Sequence, residues 1–129
     1  MSYYNVYLVS CQGLPQDHHA IFVEIESDGS GYIYQVSGDI QKGMTHAHKK
    51  AKKPEDSASY ISNSKDKLET VSIAKFPQVK QICDNISPPK KQFDGAKRLY
   101  PYEPLRRCQK WTAEAIEELK NAGVLEESS

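Results

Sequence analysis

The sequence predicts an α+β domain in which an antiparallel sheet of about five strands carries a C-terminal helix. Residues 17–37 contain two short runs of β-formers around Asp28-Gly29-Ser30-Gly31, which is typical of a hairpin. Residues 3–10 alternate in the manner of a further strand. Residues 105–123 carry apolar side chains on one stripe at helical spacing. We expect this helix to pack on the strand that begins at His18, on its His18 face.

The sequence of the middle of the chain predicts short strands and one helix around a polar loop. We expect this loop around residues 48–69, because the lysine cluster at 49–53 adjoins acidic residues and has little to bury. A patch for phosphate or an acidic partner is the alternative for that cluster. The other elements expected here are short strands at 44–48, 59–61 and 70–73, a helix at 76–86 that ends before Pro88-Pro89, and an extended segment at 90–104.

Length and composition indicate a single domain over residues 1–129, with a modest core. Lysine plus arginine equals aspartate plus glutamate at 17 each, so charge does not indicate a nucleic-acid partner. The N-terminus lacks a signal-peptide pattern, and no apolar stretch is long enough for a membrane anchor. Three widely spaced cysteines, Cys11, Cys83 and Cys108, indicate free thiols in a reducing compartment, so we expect a cytoplasmic protein.

The hairpin presents His18 at the start of its first strand. Alternation places His18 on one face with Ala20 and Phe22, and Ile21 and Val23 on the other. The same parity, carried through the turn, places three polar residues of the second strand on the His18 face: Gln35, Ser37 and Asp39. Which of them neighbours His18 depends on the strand register, which one sequence leaves open.

Cys108 lies early in the predicted C-terminal helix, beside Arg106 and Arg107. Cations and a helix N-terminus both favour a thiolate, so this thiol is a candidate nucleophile. A helix that starts at Pro104 would put Cys108 in the second turn and weaken the helix contribution. Its position on the apolar stripe also suits an inert, buried cysteine.

Three segments together resemble the lecithin:retinol acyltransferase-like branch of the circularly permuted NlpC/P60 group, which has a papain-like fold. The strand His18-His19-Ala20-Ile21-Phe22-Val23-Glu24 is similar to the family's His-Trp-Ala-Ile-Tyr-Val-Gly. Tyr34-Gln35-Val36 occupies the place of its Ile-His-Leu segment. Arg107-Cys108-Gln109-Lys110-Trp111-Thr112 is a looser match to Asn-Cys-Glu-His-Phe-Val. The order, histidine first and cysteine last, is the specific part of the resemblance.

The resemblance implies a thiol-dependent hydrolase or acyltransferase that works through a thioester. Cys108 would be the nucleophile, His18 the general base and Gln35 the residue that orients the imidazole. Backbone N–H groups around Cys108 would be the oxyanion donors. The implied substrate is a small-molecule, peptide or acyl compound, with no cofactor or metal. The chain departs from the family at Gln35, where histidine is usual, and it lacks the apolar C-terminal anchor of membrane-acting members.

Other interpretations of the sequence remain open. The chain could be a binding or structural module of the same fold without turnover, and it could be a homo-oligomer. Cys11 could serve His18 in the unpermuted order. His46-x-His48 has the spacing of a metal pair on a strand, but no third ligand accompanies it at motif spacing. Cys83 and Trp111 are expected in the core.

Overall fold

The computed structural model of the chain describes residues 3–11, 18–56 and 65–126. Its two α-helices are α1 (Phe76–Asp84) and α2 (Cys108–Asn121). The strands in these ranges are β1 (Tyr3–Cys11), β2 (His18–Glu24), β3 (Gly31–Tyr34), β4 (Val36–Asp39), β5 (Gly43–His46), β6 (Lys49–Ala51), β7 (Asp66–Ser72), β8 (Phe93–Asp94) and β9 (Lys97–Arg98).

Five of these strands form one antiparallel sheet in the order β6-β3-β2-β1-β7. The central strand β2 is buried at four consecutive positions, because side chains cover both of its faces. Strands β4 and β5 form a separate two-stranded ribbon, as do β8 and β9. The predicted α+β class, with a five-stranded antiparallel sheet and a C-terminal helix, is confirmed.

Helix α2 packs on β2, but on the face opposite to the one expected. Its stripe of Trp111, Ala115 and Leu119 lies in one buried cluster with Ile21 and Val23. By strand alternation, His18 is on the other face of the sheet. On that face Val9, Ala20 and Phe22 form a second, smaller cluster. The expectation that α2 covers the His18 face is therefore wrong, because the wide apolar stripe of α2 packs against the β-branched side chains of β2.

Trp111 anchors the larger cluster. Its side chain is completely buried, and its indole N–H donates to the backbone carbonyl of Ile86 at 3.0 Å. The hydrogen bond allows the polar end of the indole to be buried without leaving a donor unsatisfied. Cys83 of α1 is also completely buried in this cluster, so both residues lie in the core as predicted.

The polar loop expected around 48–69 is more ordered than the sequence indicates. Lys49–Ala51 pairs with β3 as the edge strand β6, and Pro54–Asp56 forms a single 3₁₀ turn. Pairing satisfies the outer backbone groups of β3, and lysines are well suited to an edge strand. Strand β7 begins at Asp66 rather than at residue 70. The strand predicted at 59–61 lies outside the described residues.

In the described part of the chain, neither helix is long and apolar enough to cross a membrane.

Gly31 starts β3, and its lack of a side chain is required by the β2–β3 pair. A Cβ atom at this position would come within 1.9 Å of the Val23 carbonyl oxygen. We expect Gly31→Ala to lower the free energy of unfolding by about 3 kcal/mol, because the backbones of the two strands must separate. Urea denaturation followed by circular dichroism measures this change.

Gly95→Ala is the matched control, because a Cβ there has nothing within 4 Å and meets only the strain of a φ of 61°. That substitution should cost about 1 kcal/mol. Equal losses for the two variants would contradict the steric argument.

Candidate active site

The site forms where β2 and α2 both begin. His18 is the first residue of β2, and Cys108 is the first residue of α2. The hydroxyl oxygen of Thr112 lies 3.2 Å from the His19 carbonyl oxygen and 2.8 Å from the Cys108 carbonyl oxygen. This hydroxyl therefore connects the first turn of α2 to the first residues of β2. As a result, the side chain of Cys108 lies next to that of His18 at the beginning of β2.

Helix α2 begins later than predicted, at Cys108 instead of residue 105. The buried side chain of Gln92 binds both backbone groups of Arg106: its carbonyl oxygen accepts from the Arg106 N–H at 2.8 Å, and its amide donates to the Arg106 carbonyl at 2.7 Å. Arg107 is extended, with φ −118° and ψ −177°. Cys108 is consequently in the first turn, where the helix N-terminus favours a thiolate.

Gln35 is the residue that reaches His18. The Nε2 atom of His18 and the Oε1 atom of Gln35 lie 2.7 Å apart, so with the amide carbonyl facing the ring Nε2 carries the proton and donates it. The Cys108 thiol hydrogen bonds to the same ring. Because Nε2 is taken by Gln35, Nδ1 is the nitrogen left to face the sulfur. The three candidate residues of the sequence are thus brought together.

Ser37 and Asp39 do not take part, because the chain leaves the sheet after Tyr34. The register pairs Ile21 with Tyr34, so a continued strand would have put Ser37 opposite His18. Instead, Val36–Asp39 turns away as β4 and pairs with β5. The Asp39 carboxylate accepts from the backbone N–H groups of Gln41 and Lys42, at 2.9 and 3.0 Å, and so stabilises the β4–β5 turn.

Hydrogen bonding shifts the two central groups toward an ion pair. The bond from Cys108 raises the pKa of His18; burial opposes this, and the bond to Gln35 raises the pKa further. Burial alone would raise the pKa of Cys108, but the bond to His18 and backbone bonds of His19 and Gln109 outweigh it and lower that pKa. Both shifts favour the thiolate–imidazolium form.

Cys83 shows how burial affects the same side chain elsewhere in the protein. It is completely buried, and burial raises its pKa to about 12. Cys11 is opposite His18 in the β1–β2 register, but the hydrogen bond to the His18 ring comes from Cys108. Among the three free cysteines, Cys108 therefore has the environment of a nucleophile.

His48 hydrogen bonds to the backbone of Gln35, and the sequence analysis did not predict this contact. The Gln35 backbone N–H donates to His48 Nδ1 at 3.1 Å, and the Gln35 carbonyl accepts from the Ala47 N–H at 2.9 Å. The other ring nitrogen of His48, Nε2, lies 3.2 Å from a carboxylate oxygen of Asp84. Both backbone groups of Gln35 are thus fixed, which limits the movement of its side chain.

Asp84 is also the third potential metal ligand that the His46-x-His48 spacing lacked, with all three donor groups within 4.8 Å of one another. The hydrogen bonds argue against a metal here. His48 Nδ1 accepts from a backbone N–H, so the proton of the neutral ring must be on Nε2, the atom that faces Asp84. A nitrogen that carries a proton cannot ligate a cation. Although Nε2 and the carboxylate are close, they are poorly aligned for a hydrogen bond, so we describe the contact as electrostatic.

Comparison with known proteins gives one result. The model of a family of unknown function, DUF6540, matches residues 6–126. No curated protein and no solved structure matches the chain.

The lowered pKa of Cys108 predicts selective alkylation. At neutral pH, iodoacetamide should modify Cys108 roughly tenfold faster than Cys83 or Cys11, because the thiolate is the reactive form. His18→Ala should slow the modification of Cys108 strongly, since burial then raises its pKa unopposed by the imidazole. Peptide mass spectrometry of timed samples measures each rate.

His19→Ala is the control for that experiment, because it removes the neighbouring imidazole and keeps the His19 backbone. It should leave the Cys108 rate within about twofold of the original, in line with the small effects of changes that remove no key contact. Equal, slow labelling of all three thiols would show that Cys108 is not activated.

The orienting role of Gln35 predicts a shift in pH dependence. The Cys108 thiolate is the form that is alkylated, and a protonated His18 ring beside it favours that form. Since the Gln35 bond raises the pKa of His18, Gln35→Ala should make the neighbouring imidazolium less stable and move the onset of Cys108 alkylation to higher pH, and Gln35→Glu should move the onset to lower pH. Asp39→Ala should leave the profile unchanged. If Asp39→Ala changes the pH dependence of Cys108 alkylation and Gln35→Ala does not, the orienting role of Gln35 is refuted.

Proposed function

We propose that this chain, which belongs to the DUF6540 family of unknown function, is a thiol-dependent hydrolase or acyltransferase with a thioester intermediate. The observation that carries the proposal is the hydrogen-bonded series Cys108–His18–Gln35 at the first turn of a helix. The histidine-before-cysteine order is that of the permuted NlpC/P60 group, which the sequence resembles in the same three segments, and Gln35 stands where histidine is usual in that group.

In the first half of the reaction, His18 Nδ1 takes the proton of the Cys108 thiol. The thiolate attacks the carbonyl carbon of an ester or amide, and a C–S bond forms as the carbonyl becomes an oxyanion. The positive end of the α2 dipole and backbone N–H groups around Cys108 would stabilise that oxyanion. The bond to the leaving group then breaks, and the leaving group takes the proton from the imidazolium.

In the second half, His18 removes a proton from water or from another acceptor. The activated acceptor attacks the thioester carbonyl, the C–S bond breaks and the Cys108 thiolate is released. Gln35 does not exchange protons in this scheme. Its carbonyl oxygen keeps the proton on Nε2, so Nδ1 is the nitrogen that acts as the base.

The contrast between two thiols of the same chain supports catalysis over a silent binding module. A cysteine kept for packing resembles Cys83, which is buried and has a raised pKa. Cys108 is half-buried, contacts a histidine and has a lowered pKa. All three cysteines are free, as expected of a thiol enzyme in a reducing compartment, and we propose the cytoplasm.

The proposal predicts an acyl-enzyme. With 4-nitrophenyl acetate, the protein should release a burst of about one equivalent of nitrophenolate and gain one acetyl group on Cys108, because thioester formation precedes its hydrolysis. Stopped-flow absorbance and mass spectrometry of quenched samples measure the two events.

Cys108→Ala should abolish both signals, and His18→Ala should slow the burst by roughly 10²- to 10⁴-fold. Cys83→Ala, which removes a thiol outside the site, should retain the burst. A folded protein that gives no adduct on Cys108 would refute the catalytic proposal and favour the binding module.

A further inference from the structure

A cavity of about 540 Å³ lies on the face of the sheet opposite to α2. Its apolar floor comes from three neighbouring strands of the sheet, through the half-buried Ile33 and the almost completely buried Val9 and Phe22. His18 and Gln35 line the same cavity. A bound molecule would therefore touch the proposed general base directly.

The other wall of this cavity is rich in lysine, although Lys53 pairs with Asp56 at 4.0 Å. Residues 49–54 line it and include four lysines. Lys49 is opposite Ile33 in the β3–β6 register, so it lies on the cavity face of the sheet, and Lys52 follows the end of the strand. No aspartate or glutamate of the described residues lines the cavity. We call this space, with its apolar floor and lysine wall, the lysine cavity.

A purely structural interpretation is that these lysines protect an edge strand from pairing with other chains. It does not account for an apolar floor beneath them. It also does not account for the contact with His18. An apolar floor, a cationic wall and a proton-transfer group are together complementary to an anion carried on an apolar body.

The reaction scheme indicates which part of a substrate would enter. His18 is among the residues that line the lysine cavity, whereas Cys108 approaches His18 from the side of α2. In acyl transfer the acyl group is bonded to sulfur, while the imidazole gives its proton to the leaving group and takes one from the acceptor. The space beside the imidazole therefore suits the leaving group and the acceptor better than the acyl group.

We propose that the lysine cavity binds the leaving group of the acyl donor, and that this group is an organic anion with an apolar body, such as an aryl or alkyl carboxylate. The inference rests on the proposed thiol chemistry. In the step concerned, the Cys108 S–C bond forms, the bond from the carbonyl carbon to the leaving group breaks, and the leaving group takes the proton from His18.

Two thioesters with the same acetyl group test the proposal. In the first thioester the leaving group is 4-mercaptobenzoate, which carries a carboxylate. In the second the leaving group is methyl 4-mercaptobenzoate, which has a similar shape but lacks that charge. The ratio of kcat/KM for the anionic over the neutral thioester cancels effects on the acyl side. At low ionic strength, the double variant Lys49→Glu, Lys52→Glu should lower this ratio roughly three- to tenfold, and added salt should weaken the preference of the unmodified protein.

The double variant Lys42→Glu, Lys97→Glu is the matched control, because it makes the same charge change at exposed positions outside the cavity. Its ratio should equal that of the unmodified protein. A ratio that does not respond to the Lys49 and Lys52 changes overturns the proposal, even if both thioesters are cleaved.

A binding measurement separates this proposal from the catalytic one. The inert analogue 4-(methylthio)benzoate should perturb the His18 ring signals in NMR titrations of the unmodified protein, and its methyl ester should bind more weakly. The Lys49→Glu, Lys52→Glu variant should lose that difference. If neither thioester is cleaved through Cys108, the proposed function fails. Absence of binding by the carboxylate overturns the lysine cavity assignment.

Discussion

The hydrogen bond between Cys108 and His18 depends on the start of a helix meeting the start of a strand. Cys108 packs against the larger core cluster on the Ile21 and Val23 face of β2, whereas by strand alternation His18 is on the other face. The meeting point is fixed by Thr112, whose hydroxyl contacts carbonyl oxygens of both elements, and by Gln92, which keeps the preceding chain extended. A register shift of α2 by one residue relative to β2 would rotate Cys108 by about 100° around the helix axis and separate the pair.

Local pattern was enough to predict the sheet and the helix because burial imposes a clear period on the sequence. Alternation defines β1 and β2, and the apolar stripe defines α2. The two residues of the pair could be predicted from their order along the chain and from motif resemblance. What alternation could not show is the face that α2 covers, since both faces of the central strand are apolar and buried.

What the residues left open or predicted wrongly depends on long-range contacts that have no local signature. Gln92 is separated from Arg106 by 14 positions, so its effect on the helix start cannot be read from the residues of the helix. The choice among Gln35, Ser37 and Asp39 depended on where β3 leaves the sheet, which is determined by the pairing of β4 with β5. The lysine cluster was predicted as a loop because charge and low hydrophobicity indicate exposure, and an edge strand is also exposed.

The backbone contacts of Gln35 explain how its neutral amide can keep a fixed direction beside the His18 ring. Orientation requires that the amide carbonyl keep its direction, and both backbone groups of Gln35 are bound by the segment that contains Ala47 and His48. His48 can accept from the Gln35 N–H only while its ring is neutral, because a protonated ring has no lone pair. Burial lowers the pKa of His48, although the charge of Asp84 opposes that shift. Burial therefore maintains the lone pair on which the position of Gln35 depends, and Asp84 stabilises the proton on the opposite nitrogen. His48 separates the negative charge of Asp84 from Gln35, so Gln35 binds the His18 ring without adding a charge beside it.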